Sequence, residues 1–163
     1  SILVPLSTGY QSEYDLCDFG LLLDSCPDDL AERLNRALPQ GLRVTRVGEA
    51  RRPVNQIGFC GYEIHYHSPW DPAIPGLFEQ PVKILKHSKR GDREVVLNDY
   101  VRTLEFRPEG DSFCCTCQLK AGDDPLNPSY ITDVLRFHSR VGQPDRPLYI
   151  RKSILDKEGE AFF

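Results

Sequence analysis

Residues 60–67 alternate more strictly than any other stretch of the chain, and that alternation limits the fold most sharply. Cys60, Tyr62, Ile64 and Tyr66 fall on one side of an extended segment, while Glu63, His65 and His67 fall on the other. The segment therefore reads as a strand with one face toward a core and one toward water. A meander follows it. Residues 82–86 and 94–97 flank the turn Lys89-Arg90-Gly91-Asp92. Residues 101–106 and 113–119 flank Pro108-Glu109-Gly110-Asp111, and residues 148–154 supply a last strand.

Two helices punctuate this pattern. Asp24-Ser25-Cys26-Pro27-Asp28-Asp29 carries the capping residue, the early proline and the acidic first turn of a helix start. Leu30, Leu34, Ala37 and Leu38 then recur at helical spacing, and Pro39-Gln40-Gly41 ends the run. With a strand over 13–23 (Cys17, Phe19, Leu21 and Leu23 on one parity) and another over 42–47, this predicts a β-α-β unit. Asn127-Pro128 opens the second helix, whose Tyr130, Ile131, Val134, Leu135 and His138 share one face. Residues 48–59 read as a connector. The proline-rich stretch 68–81 around Trp70 reads as an ordered loop with a short helical turn, and 157–163 as a loosely held tail.

Few helices among many antiparallel strands predict an α+β fold, with antiparallel sheet, two helices and one or two ferredoxin-like modules. Residues 1–59 form the β-α-β unit with its connector. Residues 60–163 form the mostly antiparallel part, packed with the first as a single domain.

At 163 residues the chain can bury a core without covalent staples. No run approaches the roughly 20 apolar residues that span a bilayer, so no membrane partner is expected. The first residues show no basic leader and no small-residue cleavage site, which points to the cytoplasm. Six cysteines in such a chain are expected to be reduced thiols. The net charge of −4 weighs against sequence-independent nucleic-acid binding, which draws its affinity from Lys and Arg on phosphates.

Three clusters carry candidate chemistry. Phe113-Cys114-Cys115-Thr116-Cys117 invites a metal or redox reading, but thiolate ligands are usually spaced by two residues or more. On a strand Cys115 and Cys117 lie roughly 6.5–7 Å apart on one face, so core packing is the expectation. Glu63, His65 and His67 share one face and form the candidate metal-ligating set, against the plainer reading of a polar strand face. Lys83, Lys86, Lys89, Arg90 and Arg93, with His87 between them, form a basic hairpin that could follow an RNA backbone. The plainer reading is a charged edge that blocks strand association. No phosphate loop, dinucleotide fingerprint, nucleophile elbow or H-E-x-x-H occurs, and no cysteine triplet is spaced for an iron–sulfur cluster. No catalytic residue and no cofactor are expected.

Val4-Pro5-Leu6-Ser7-Thr8-Gly9 with Ser12-Glu13-Tyr14, then Leu34-Asn35-Arg36-Ala37-Leu38-Pro39-Gln40-Gly41-Leu42, resembles the signature of the radical-SAM-linked domain family. Arg93-Glu94-Val95-Val96-Leu97-Asn98-Asp99-Tyr100-Val101 is similar to the stretch before that family's final βαβ. The resemblance implies a bacterial domain fused or adjacent to cobalamin-binding radical SAM proteins, without itself doing the radical chemistry. Members usually carry a further strand and an arginine-rich helix before the signature. Neither is present here, as in a fragment or a chain that has lost that half.

The expected function is therefore a non-catalytic accessory or binding domain acting with a radical SAM protein, contacting RNA or a ribosomal component through the basic hairpin. A metal-dependent enzyme built on Glu63, His65 and His67, and a purely structural protein–protein module, are the alternatives.

Overall fold

The computed structural model describes residues 1–22, 25–89 and 91–163. In chain order the elements are β1 (Gln11–Ser12), α1 (Leu30–Ala37), β2 (Ile57–Tyr66), β3 (Lys83–Lys86), β4 (Arg93–Val96), β5 (Val101–Glu109), β6 (Ser112–Lys120), α2 (Ser129–Phe137) and β7 (Leu148–Asp156). Among the described residues, two helices, a five-stranded sheet and a two-stranded sheet make an α+β fold.

The large sheet runs β1-β7-β2-β6-β5. β6 and β7 flank β2 and both pair with it antiparallel, so α2 connects two parallel strands across β2. β2 and β5 flank β6 in the same way. These four strands give one ferredoxin-like arrangement, not two. Its first helix is replaced by residues 67–100, which hold the 3₁₀ turn Pro75–Phe78, the hairpin β3–β4 and the 3₁₀ turn Leu97–Tyr100. The helical turn expected near Trp70 is therefore present, at Pro75–Phe78.

Local chemistry sets the joints. Glu109 pairs with Ser112 across a two-residue turn in which Gly110 takes φ +60°, a conformation that favours glycine. At the other end Gly58 lies against its neighbour so closely that an added Cβ would stand 2.6 Å from the Lys157 Cα. Asn127 closes the start of α2, its side-chain oxygen accepting the Ser129 backbone N–H at 2.9 Å.

The core lies on the face of the sheet that α2 covers. Ile64, Tyr66, Phe113, Cys115, Cys117 and Leu119 from the strands meet Ile131, Val134 and Leu135 from α2, all of them buried. Tyr66 stacks on Phe113 at 4.6 Å between ring centroids. Thr132 is fully buried and shares hydrogen bonds with the hydroxyls of Tyr66 (2.9 Å) and Tyr149 (2.6 Å). Cys115 and Cys117 are core residues, as their parity predicts, and all six cysteines are free thiols.

The first fifty residues depart from expectation. In place of the strand expected over 13–23, the pairing with β7 ends at Glu13, whose N–H donates to Arg151 O at 2.9 Å, and residues 14–22 form no strand. The chain then folds back on its own start through Leu3 N–H to Leu16 O and a bridge between Ile2 and Cys17. Phe19 and Leu21 are exposed, and Leu23 and Asp24 lie outside the described residues. α1 forms but buries only Leu30. The expected strand over 42–47 is absent for a visible reason. The Asn35 amide takes both backbone groups of Val44, its oxygen accepting the N–H (2.7 Å) and its nitrogen donating to the C=O (2.9 Å). A ladder would need those same groups. The tail is also corrected: Phe162 is buried, its N–H bonds Ile154 O, and the Tyr14 hydroxyl donates to Phe163 O at 2.6 Å.

Candidate functional site

The two faces of the sheet offer two different sites. On the core side the chain does not close completely. Between the N-terminal segment, the β3–β4 hairpin and the start of α2 lies a cleft of about 1000 Å³, at the upper end of the range usual for ligand pockets. Cys60 and Tyr62 of β2 and Val134 of α2 are among the residues that line it. Leu85 and Phe137, both strongly exposed, also line it.

Polar side chains fix the cleft's walls. The Tyr10 hydroxyl donates to Asn127 Oδ1 at 2.7 Å, and Asn127 Nδ2 donates to Ser7 Oγ at 2.9 Å. Burial, and then the neighbouring Tyr149, push the Tyr10 hydroxyl up to about 12, so it stays protonated. The N-terminal wall is also anchored by Arg151. This guanidinium is buried, donates to Val4 O at 2.7 Å and pairs with Asp15. On the opposite wall Lys86 is buried with its ammonium 2.5 Å from Asp124 Oδ1. Arg93 and the Tyr100 hydroxyl share the other Asp124 oxygen. Lys86 first, then Tyr100 and Arg93, hold the Asp124 carboxyl well below the usual range.

That network redefines the basic hairpin. Lys83 pairs with Glu94 (3.0 Å), Lys86 and Arg93 pair with Asp124, and His87 faces Asp92 (2.7 Å). Lys89 is exposed at the hairpin tip, and Arg90 lies outside the described residues. Most of the expected phosphate-tracking charge is thus engaged by carboxylates of the same molecule.

The second site lies on the face away from α2. Glu63 and His65 project from β2, and the register sets His65 directly across from Cys114 on β6. Ligand atoms of Glu63, His65 and Cys114 all lie within 4.8 Å of one another, and among the described residues this is the one such group able to hold a metal ion. His65 Nε2 is 2.7 Å from Glu63 Oε1, and His65 Nδ1 is 3.1 Å from Glu109 Oε2. Arg107 braces both carboxylates, at 3.2 Å from Glu109 and 3.9 Å from Glu63. The His65 contact, followed by Arg107, holds the Glu109 carboxyl below the usual range. Cys114 is buried at the bottom of the group, and burial pushes its thiol up to about 11.

His67, the third residue of the expected metal set, is not in this group. It lies past the end of β2 and is exposed, with its backbone N–H directed at Asp145. Cys114 stands in the group instead, and Glu109 contacts His65 from outside it; sequence reasoning missed both. Strand parity already separated Cys114 from Cys115 and Cys117. What it could not supply was the register that puts Cys114 beside His65.

No curated protein and no solved structure matches the chain. A family described as "Uncharacterized protein conserved in bacteria (DUF2344)" matches residues 1–128. That match spans most of the sheet and the residues of both sites as far as α2, and the chain belongs to this family.

Proposed function

We propose that this chain is a non-catalytic binding domain that acts beside a radical SAM protein and engages it through the cleft on its core side. The observation that carries the reading is the cleft itself: about 1000 Å³, floored by buried side chains and rimmed by the exposed Leu85 and Phe137. Exposed apolar side chains at the rim of a cleft suit a protein partner, because their burial is the main favourable term in association. The resemblance of the N-terminal signature to the radical-SAM-linked family names the class of partner.

RNA is the weaker occupant. Lys83, Lys86 and Arg93 are already paired within the molecule, so a phosphate would have to displace a carboxylate from each of them.

Co-elution with the radical SAM protein of the same genome tests the reading. A stable complex lost in Leu85→Glu and Phe137→Glu, and kept in Lys89→Glu with Arg90→Glu, is expected. A complex indifferent to the first pair would remove the cleft from the interface. Salt-sensitive RNA retention abolished by the second pair would return the domain to nucleic-acid binding.

A further inference from the structure

We propose that the open face of the sheet holds a zinc site formed by Glu63, His65 and Cys114, with Glu109 as the outer carboxylate that orients His65. The site is separate from the cleft and does not depend on it.

The geometry comes first. Zinc binds carboxylate oxygen and imidazole nitrogen at about 2.0–2.2 Å and thiolate sulfur at about 2.3 Å, so tetrahedral ligands stand roughly 3.3–3.8 Å apart. The three ligand atoms here lie within 4.8 Å of one another, and His65 Nε2 and Glu63 Oε1, hydrogen-bonded at 2.7 Å, move apart slightly to admit the ion. Two of them sit two residues apart on β2, and the third comes from the adjacent position on β6. The backbone of two paired strands therefore fixes all three.

The environment of His65 is that of a metal ligand. A ligating imidazole characteristically donates its second N–H to a carboxylate, which sets the tautomer and ring angle. His65 Nδ1 faces Glu109 Oε2 at 3.1 Å while Nε2 points toward Glu63. Glu109 is braced in turn by Arg107. The ring is thus oriented before any ion arrives.

Charge closes the argument. With Cys114 deprotonated, Glu63, Glu109 and the thiolate supply three negative charges against the positive charge of Arg107, and Lys152, which also faces Glu63, is neutralised by its pairing with Glu13. A dication brings the sum to zero. Binding releases the thiol proton to solvent as the metal–sulfur bond forms, so the exchange balances. Thiolate and imidazole disfavour magnesium and calcium, and a tetrahedral mixed sulfur–nitrogen–oxygen set suits zinc. Three protein ligands leave the fourth position to water.

The experiment uses the full chain in a Cys17→Ser, Cys26→Ser background, purified without affinity metal and stripped with chelator. These two exposed cysteines are removed so that they do not compete for the ion. Cobalt(II) is titrated as a spectroscopic probe and zinc is used to displace it. One equivalent is expected to bind with a thiolate-to-cobalt charge-transfer band that zinc abolishes. Cys114→Ser should lose the band. Because Cys114 is buried, Glu63→Gln and His65→Ala on the open face are measured beside it, with circular dichroism to verify folding. Each should weaken binding at least about tenfold. Glu109→Gln should keep the band with roughly 10–100-fold weaker affinity. His67→Ala should change nothing. Absence of the band in the parent, or its survival unchanged in folded Glu63→Gln and His65→Ala, overturns the site. A loss caused by His67→Ala would relocate it.

Discussion

The two faces of the β2–β6 pair are made by alternate residues of the same two strands, and they solve opposite problems. Toward α2 the pair presents Ile64, Tyr66, Phe113, Cys115 and Cys117, all buried among apolar neighbours. Away from α2 it presents Glu63, His65 and Cys114, held by cross-strand polar contacts and braced by Arg107 from β5. Cys114 and Cys115 make the contrast sharpest: adjacent, chemically identical and both buried, one lies beside a histidine and a carboxylate, the other in a hydrophobic cluster. Side-chain type does not assign these roles. The two-residue period of the strand and the layer above it do.

The largest effects are expected on the core side. Phe113→Ala removes a fully buried ring that stacks on Tyr66 and touches Trp70 and Phe106. It should cost about 3–5 kcal/mol, read from chemical denaturation. Asp124→Asn leaves the buried Lys86 ammonium without its anion. The expected loss is roughly 2–3 kcal/mol, below the figure for a fully buried pair because Asp124 is itself partly exposed. Its pH dependence follows from sign. The folded carboxyl titrates lower than the unfolded one, so its contribution is complete above the unfolded value of about 3.9 and fades as pH falls below it. Stability curves of parent and variant should converge in acid and separate toward neutrality. If they stay parallel, Asp124 is not the anion that Lys86 needs.

Smaller effects sharpen the contrast. Thr132→Val withdraws the hydroxyl shared by two buried tyrosine hydroxyls, at an expected cost of about 1–3 kcal/mol. Thr116→Val, on the open face and exposed, should stay within about 0.5 kcal/mol of the parent. Equal losses for these two threonines would mean that the faces are not distinct in energy.

Legibility followed the same division. Alternation in residues 60–67 and 113–119 placed Cys60, Tyr62, Ile64 and Tyr66 of β2 and Phe113, Cys115, Cys117 and Leu119 of β6 on the core side, because burial on one face imposes a period the sequence must carry, whereas Ile57, a core residue at the start of β2, fell in the stretch read as a connector. The hairpins were legible from their turns, with Gly110 at the position that requires it. The failures came where local pattern lacked a tertiary partner. Cys17, Phe19 and Leu21 alternate as a strand would, yet Cys17 bridges to Ile2 of the chain's own N-terminus and Phe19 and Leu21 are exposed. Residues 42–47 have strand-like composition, but one asparagine claims the backbone of Val44. The site was half legible. Glu63 and His65 share a strand and were read together, whereas Cys114 and Glu109 reach them only through pairings between strands distant in sequence. The basic hairpin was visible as charge, but the carboxylate of Asp124 that engages it lies on another loop.

The central position of β2 has a consequence for how the chain comes into being. Both strands that flank it, β6 and β7, lie later in the sequence. During synthesis β2 therefore leaves the ribosome with both edges open and an apolar face uncovered, well before either neighbour exists. Hairpin β5–β6, closed by its two-residue turn, is a local pairing that gains stability by receiving β2 on one side. The other edge stays open until the last strand is made. Truncation anywhere ahead of β7 thus exposes the middle of the sheet, not its margin, and an open central edge is a template for aggregation.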